Sequence, residues 1–265
     1  MGRISFSSRR SMTDQQPRES WRRTVLGQHR WLIFVLPFAT YMLVGSMEPT
    51  LQTPGGASIG MAIAYRHYPV VYAVKILLTV ATMLVVWPGY RQFPRRVTVL
   101  GILVGLIGAA VWIGLAELQV EQRLLAPLGL DRFIDLGRRS AFNPWQEMGS
   151  ALWAGVFLAI RLLGLVAVVP LIEEFFLRGF VMRFLVDNKW WEVPIGKVNR
   201  TAVIAGTLVP MLAHPAELLA AAVWFSLVTW LMVRTKSLWD CVAAHAVTNL
   251  ILGVYVLCSG DWFLM

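Results

Sequence analysis

The sequence is short of charge and of cysteine. Of its 265 residues only 15% are charged while 57% are hydrophobic, and the mean hydropathy is +0.61. A soluble domain carries roughly a quarter charged residues, so this shortage argues against one. Cys241 and Cys258 are the only cysteines, too few for a disulfide framework and without the paired spacing of a thiolate metal site. There is no internal repeat and no H-E-x-x-H helix signature. No small-residue cleavage site follows the first apolar stretch, which therefore reads as an anchor and not as a removed signal peptide. The net charge of +9 follows membrane topology instead of marking one basic face, which argues against nucleic acid as a partner.

What the chain does have is apolar runs between charge clusters. A helix rises about 1.5 Å per residue, so roughly 20 apolar residues cross the hydrocarbon layer. The runs predict an all-α polytopic membrane protein with about seven (six to eight) transmembrane helices. The candidate crossings are Trp31–Met47, Tyr68–Trp87, Val97–Ala116, Arg161–Arg183, Thr201–Ala213, Leu218–Val233 and Leu238–Ser259. Residues 1–30 read as a disordered basic arm with seven arginines, 31–148 as N-terminal membrane helices with an interfacial loop over Glu117–Gly149, and 149–265 as the domain that carries the chemistry. Gly149–Ile160 is apolar and extends the fourth helix or approaches it as a re-entrant segment. Counting Lys and Arg over alternating segments gives seventeen on the N-terminal side and five on the other, with Lys75 inside a span and Arg161 placed to snorkel at an outer end. The asymmetry predicts a cytoplasmic N-terminus and an extracytoplasmic C-terminus.

The stretch Thr201–Val233 is too long for one crossing and has basic residues, Arg200 and Arg234, at both ends. The chain must turn back, and His214-Pro215-Ala216-Glu217 is its only polar break. A histidine is thereby set at a helix break within the membrane, where irregular backbone needs protein or a water-filled cavity around it.

Ionisable groups inside spans are functional candidates. Glu174 and Arg178 are four apart and can pair on one helical face, whereas Glu173 points about 100° away. His245 and Asn249 are also four apart and share a face. Counted from the ends of their helices, Glu173, His214, His245 and Asn249 fall in a common layer roughly 10–20 Å deep. Such a set suits hydrolysis: a desolvated carboxylate as general base, a histidine to orient the water, a second histidine and an amide for the oxyanion. The same side chains offer a rival, a Zn²⁺ held by Glu173, His214 and His245, and spacing alone leaves it open.

Glu173-Glu174-x-x-x-Arg178, then His214, then His245-x-x-x-Asn249 resembles the ordered pattern of the CAAX-protease and bacteriocin-processing (CPBP, or Abi) family of membrane endopeptidases. The second motif departs, with Pro210 where phenylalanine is usual before His214. The resemblance covers about residues 149–259. It implies an α-helical membrane fold and an intramembrane endopeptidase acting on a membrane-associated protein or peptide. Its implied roles are water activation by Glu173 and His214 and an oxyanion hole from His245 and Asn249, with Glu174 and Arg178 as support. No cofactor is favoured, since relatives have been argued both as glutamate proteases and as metalloproteases. Thr235–Asp240 and Gly260-Asp261-Trp262 are similar to a bacterial branch associated with exosortase sorting systems. Two other classes stay open: a non-catalytic scaffold or immunity factor of the same fold, and a proton-coupled transporter, which usually shows internal repeats.

Overall fold

The computed structural model describes residues 21–49, 63–125, 127, 129 and 141–265. Among them the chain is helical: α1 Trp21–Gln28, α2 Leu32–Gly45, α3 Tyr68–Tyr90, α4 Val99–Glu117, α5 Val120–Leu125, α6 Ala151–Phe184, α7 Arg200–Met211, α8 Leu218–Thr235 and α9 Leu238–Ser259. The helices containing the crossings expected at α3, α4, α6, α8 and α9 are long and apolar enough to span a bilayer. The expected crossing at α2 has 14 residues and that at α7 has 12. At about 1.5 Å per residue these reach about 21 and 18 Å, short of the roughly 30 Å hydrocarbon layer. The protein is an integral membrane protein whose long helices turn residues such as Leu77, Leu103, Leu152 and Leu250 outward.

Each long helix begins at a polar cap or a turn. The side chains of Thr98, Asn199 and Ser237 accept backbone N–H groups at the starts of α4, α7 and α9. α8 is capped from a distance: Glu121 on α5 accepts from the N–H groups of Leu218, Leu219 and Ala220 at 2.8, 2.7 and 3.3 Å. The segment expected as an interfacial loop thus contributes a structural carboxylate and a core residue, Phe142. Lys236, left-handed at φ 54°, turns α8 into α9. α4 lies against α9 along small residues. A Cβ added at Gly105 would stand 2.7 Å from the Ala244 carbonyl, and one at Gly108 would stand 2.5 Å from Trp224. Small residues let membrane helices approach closely where apolar burial drives little association.

Two expectations are corrected and an open alternative is resolved. Trp21–Gln28, inside the expected disordered arm, is a helix, because Leu26 gains cover against the aromatic cluster around Phe34; residues 1–20 lie outside the described residues. Arg161 does not snorkel. It is buried, donating to the carbonyls of Phe142 at 3.3 Å and Met265 at 2.5 Å and lying over the ring of Tyr68. Internal carbonyls and aromatic faces replace water for its charge. The segment Gly149–Ile160 resolves to its helical alternative: α6 runs unbroken for 34 residues from Ala151. It is not uniform, since Gly164–Val168 and Phe175–Val181 are wound as π-helix on either side of the two glutamates.

The chain does reverse at the polar break, where α7 ends at Met211, His214 N–H bonds to the Met211 carbonyl and α8 starts at Leu218. The ends of α2, α3, α6, α7 and α8 that carry the larger arginine count gather at one end of the bundle. There Arg30 stacks on Trp191, Asn199 binds the Leu185 carbonyl and Ser237 binds the Arg96 carbonyl. Arg132, Arg138 and Arg139, part of the smaller count, lie outside the described residues.

Candidate active site

α6 supplies the two carboxylates, and its helical step separates them as the spacing predicts. Glu174 and Arg178 are both fully enclosed and joined as an ion pair, and Arg178 also reaches the Phe225 carbonyl of α8 at 3.3 Å. Glu174 has a second partner that the sequence did not reveal: His245 Nδ1, on α9, at 3.0 Å. A carboxylate flanked by a guanidinium and an imidazole thus ties α6 to α8 and α9. In a low-dielectric interior such a charge persists only when paired.

Glu173 faces elsewhere. It is half-buried and makes no side-chain hydrogen bond or ion pair among the described residues. It lines a cavity of about 60 Å³ together with His214, Glu174, Pro210 and Phe225. A water occupies roughly 30 Å³ of liquid volume, so the space suits one or two. His214 Nδ1 lies 2.9 Å from the Pro210 carbonyl. A carbonyl only accepts, so Nδ1 carries a proton, and in the neutral ring Nε2 is then the acceptor. Trp112 and Phe225 flank that ring, each 5.5 Å between centroids. The main-chain carbonyl at position 210 therefore helps set the histidine, and the aromatic walls come from α4 and α8.

Asn249 and His245 share one face of α9 but not one environment. Asn249 Nδ2 donates to the Leu165 carbonyl at 2.8 Å, within the first π-wound stretch. Neither residue lines the cavity; His245 meets it through Glu174, and Asn249 stands further back. Thr248, between them, accepts from Trp224 Nε1 at 3.0 Å and donates to the Gly105 carbonyl at 2.9 Å. It locks α9 against α4 and α8. Of the predicted set, the structure brings Glu173 and His214 to one cavity and connects His245 to it by a single hydrogen bond.

The residues do not fit a metal centre as placed. Among the described residues no three His, Cys, Asp or Glu stand together as ligands, and His245 turns one ring nitrogen to Glu174.

A second charge pair, buried at Lys75 and half-buried at Glu48, joins α3 to the turn after α2. Lys75 Nζ is 2.5 Å from Glu48 and lies over the rings of Tyr41 and Tyr72 at 4.3 and 4.5 Å. Tyr41 is also within electrostatic reach of Glu173. Lys75 inside an apolar run was the only sequence signal for this cluster.

Comparison with known proteins agrees with the motifs. Residues 155–251, which contain all four candidate residues, match the family model described as Type II CAAX prenyl endopeptidase Rce1-like. No curated protein and no solved structure matches the chain.

Proposed function

We propose that the chain, whose residues 155–251 match the Type II CAAX prenyl endopeptidase Rce1-like model, is an enzyme of the CAAX-protease kind and hydrolyses a peptide bond of a membrane-associated protein with water activated by Glu173. The observation that carries the mechanism is the contrast on α6: Glu174 is held by Arg178 and His245, while Glu173 makes no side-chain hydrogen bond or ion pair among the described residues and lines a cavity that His214 also lines. Glu173 takes the proton of a water in that space, and His214, with its acceptor nitrogen at Nε2, orients the same water. The hydroxide adds to the scissile carbonyl and negative charge grows on its oxygen; collapse then breaks the C–N bond as Glu173 returns its proton to the leaving amine. His245 and the Asn249 amide are assigned to that oxyanion, Asn249 leaving the Leu165 carbonyl when substrate enters. No nucleophilic side chain and no metal take part in this scheme.

The test is a comparison of membrane-protein termini in a deletion strain complemented with the wild type or with Glu173→Gln. A protein cleaved only with the wild-type gene is the expected result. Identical termini in both strains would sink the reading in favour of a scaffold of the same fold. Activity that disappears on chelation and returns with zinc near one per chain would overturn the metal-free part alone. We further propose that the arginine-rich end faces the cytoplasm. A reporter after Met265 is then expected outside and one within Asp187–Lys197 inside; a cytoplasmic C-terminal reporter refutes this.

A further inference from the structure

A second cavity is much larger than the one between Glu173 and His214. About 690 Å³ opens at the arginine-rich end, between the end of α1, the start of α2, the end of α3 and the turn after α6. Arg30, Arg91 and Arg183 line it, with Phe34, Trp190 and Trp191, and among the described residues none that lines it is acidic. Arg183 is buried. Its guanidinium donates to three neutral carbonyls, those of Val193 at 2.7 Å, Gly179 at 3.0 Å and Trp191 at 3.1 Å, and to no carboxylate. Arg30 and Arg183 lie over the rings of Trp191 and Trp190 at 5.6 and 5.5 Å.

Carbonyls and ring faces orient these guanidinium groups without neutralising them. A cationic cavity whose described lining carries no counter-charge is complementary to an anion, and arginine forks match phosphate oxygens in particular. Its volume is several times that of a phosphate and lies within the range of ligand pockets. The tryptophans are the side chains that sit at the boundary between headgroup and acyl chain. The N-terminal arm is a poor occupant, because residues 1–20 carry four arginines against Asp14 and Glu19.

We propose that this cavity binds the phosphate-bearing headgroup of an anionic phospholipid. The site is separate from the one lined by Glu173 and owes nothing to the assignment of peptidase chemistry. It is tested on the purified full chain in neutral detergent, titrated with short-chain phosphatidylglycerol, short-chain phosphatidylcholine or sodium phosphate. Bound lipid is counted by native mass spectrometry and melting temperature is followed in parallel. Phosphatidylglycerol is expected to bind at least tenfold more tightly than phosphatidylcholine and to raise the melting temperature. Arg30 and Arg91 are exposed, so Arg30→Ala and Arg91→Ala leave the fold intact. Each is expected to weaken phosphatidylglycerol about fivefold, the effect of one basic residue near an anionic headgroup. Arg234→Ala with Lys236→Ala, at the same end but outside the cavity, is expected to change nothing. Equal binding of the two lipids overturns the proposal, as does an equal loss in the Arg234/Lys236 variant, which would mean surface charge alone. Sodium phosphate binding as tightly as phosphatidylglycerol would make this a site for a free anion and overturn the lipid assignment.

Discussion

Glu174 is enclosed, with Arg178 and His245 both donating to it, whereas Glu173, one residue earlier on the same helix, is half-buried against a cavity it shares with His214. The two differ by one helical step of about 100° and nothing else in their covalent chemistry. Their surroundings divide the labour. Enclosure with two cationic or donor partners makes a carboxylate part of the scaffold, because removing either partner strands a charge in low dielectric. A carboxylate left without partners at the edge of a small cavity keeps its lone pairs for a water. That difference, more than the motif itself, separates the structural glutamate from the candidate base.

The contrast can be broken in four places. Glu173→Gln is expected to lower the cleavage rate by about 10²–10⁴-fold, the usual contribution of a general base, with an unchanged melting temperature. A variant that also melts several degrees lower would show that Glu173 shares its neighbour's structural work. Arg178→Met strands Glu174 and is expected to cost about 3–5 kcal/mol in unfolding free energy, read by denaturation in detergent. Full stability there would mean that His245 alone suffices. His245→Ala removes a hydrogen bond to a charged group, worth about 1.5–3 kcal/mol. In a double-mutant cycle with Glu174→Gln the two losses are expected to be strongly non-additive; simple additivity would deny the contact. Thr248→Val, beside the site but outside it, is expected to cost about 1 kcal/mol, since interhelical hydrogen bonds in membranes average about 0.6. Its cleavage rate should match the wild type, and a slow variant would extend the site to Thr248.

Much of this arrangement was legible in the residues. Apolar run length predicted the helices that contain the crossings, and basic residues at both ends of Thr201–Val233 required the turn that His214 occupies. The four-residue spacing of Glu174 and Arg178 predicted their pairing, a local geometry independent of the rest of the fold. What joins distant helices was not legible. His245 meets Glu174 across 71 positions, Lys75 meets Glu48, and Arg161 is buried against Phe142, because each contact depends on how one helix is rotated against another. The seat of Asn249 was hidden for a related reason. Its acceptor, the Leu165 carbonyl, lies in a wound-out stretch that apolar periodicity does not announce.

Those wound-out stretches give α6 the character of a phase-setting shaft. A turn closed by an i→i+5 bond holds one residue more than an α turn, and one residue corresponds to about 100° of rotation. With one such stretch at Gly164–Val168 and another at Phe175–Val181, the faces on either side of Glu173-Glu174 are indexed separately against their neighbours. Deleting a single residue from the first stretch would let that turn close as an ordinary α turn, so the segment holding Arg161 keeps its facing toward Phe142 and Met265. The same deletion in the α-wound Val169–Glu174, ahead of Glu173, has no such slack and would swing that segment by about 100° relative to the glutamates. The π-wound turn is in this sense a reserve of one residue that leaves the angular setting untouched.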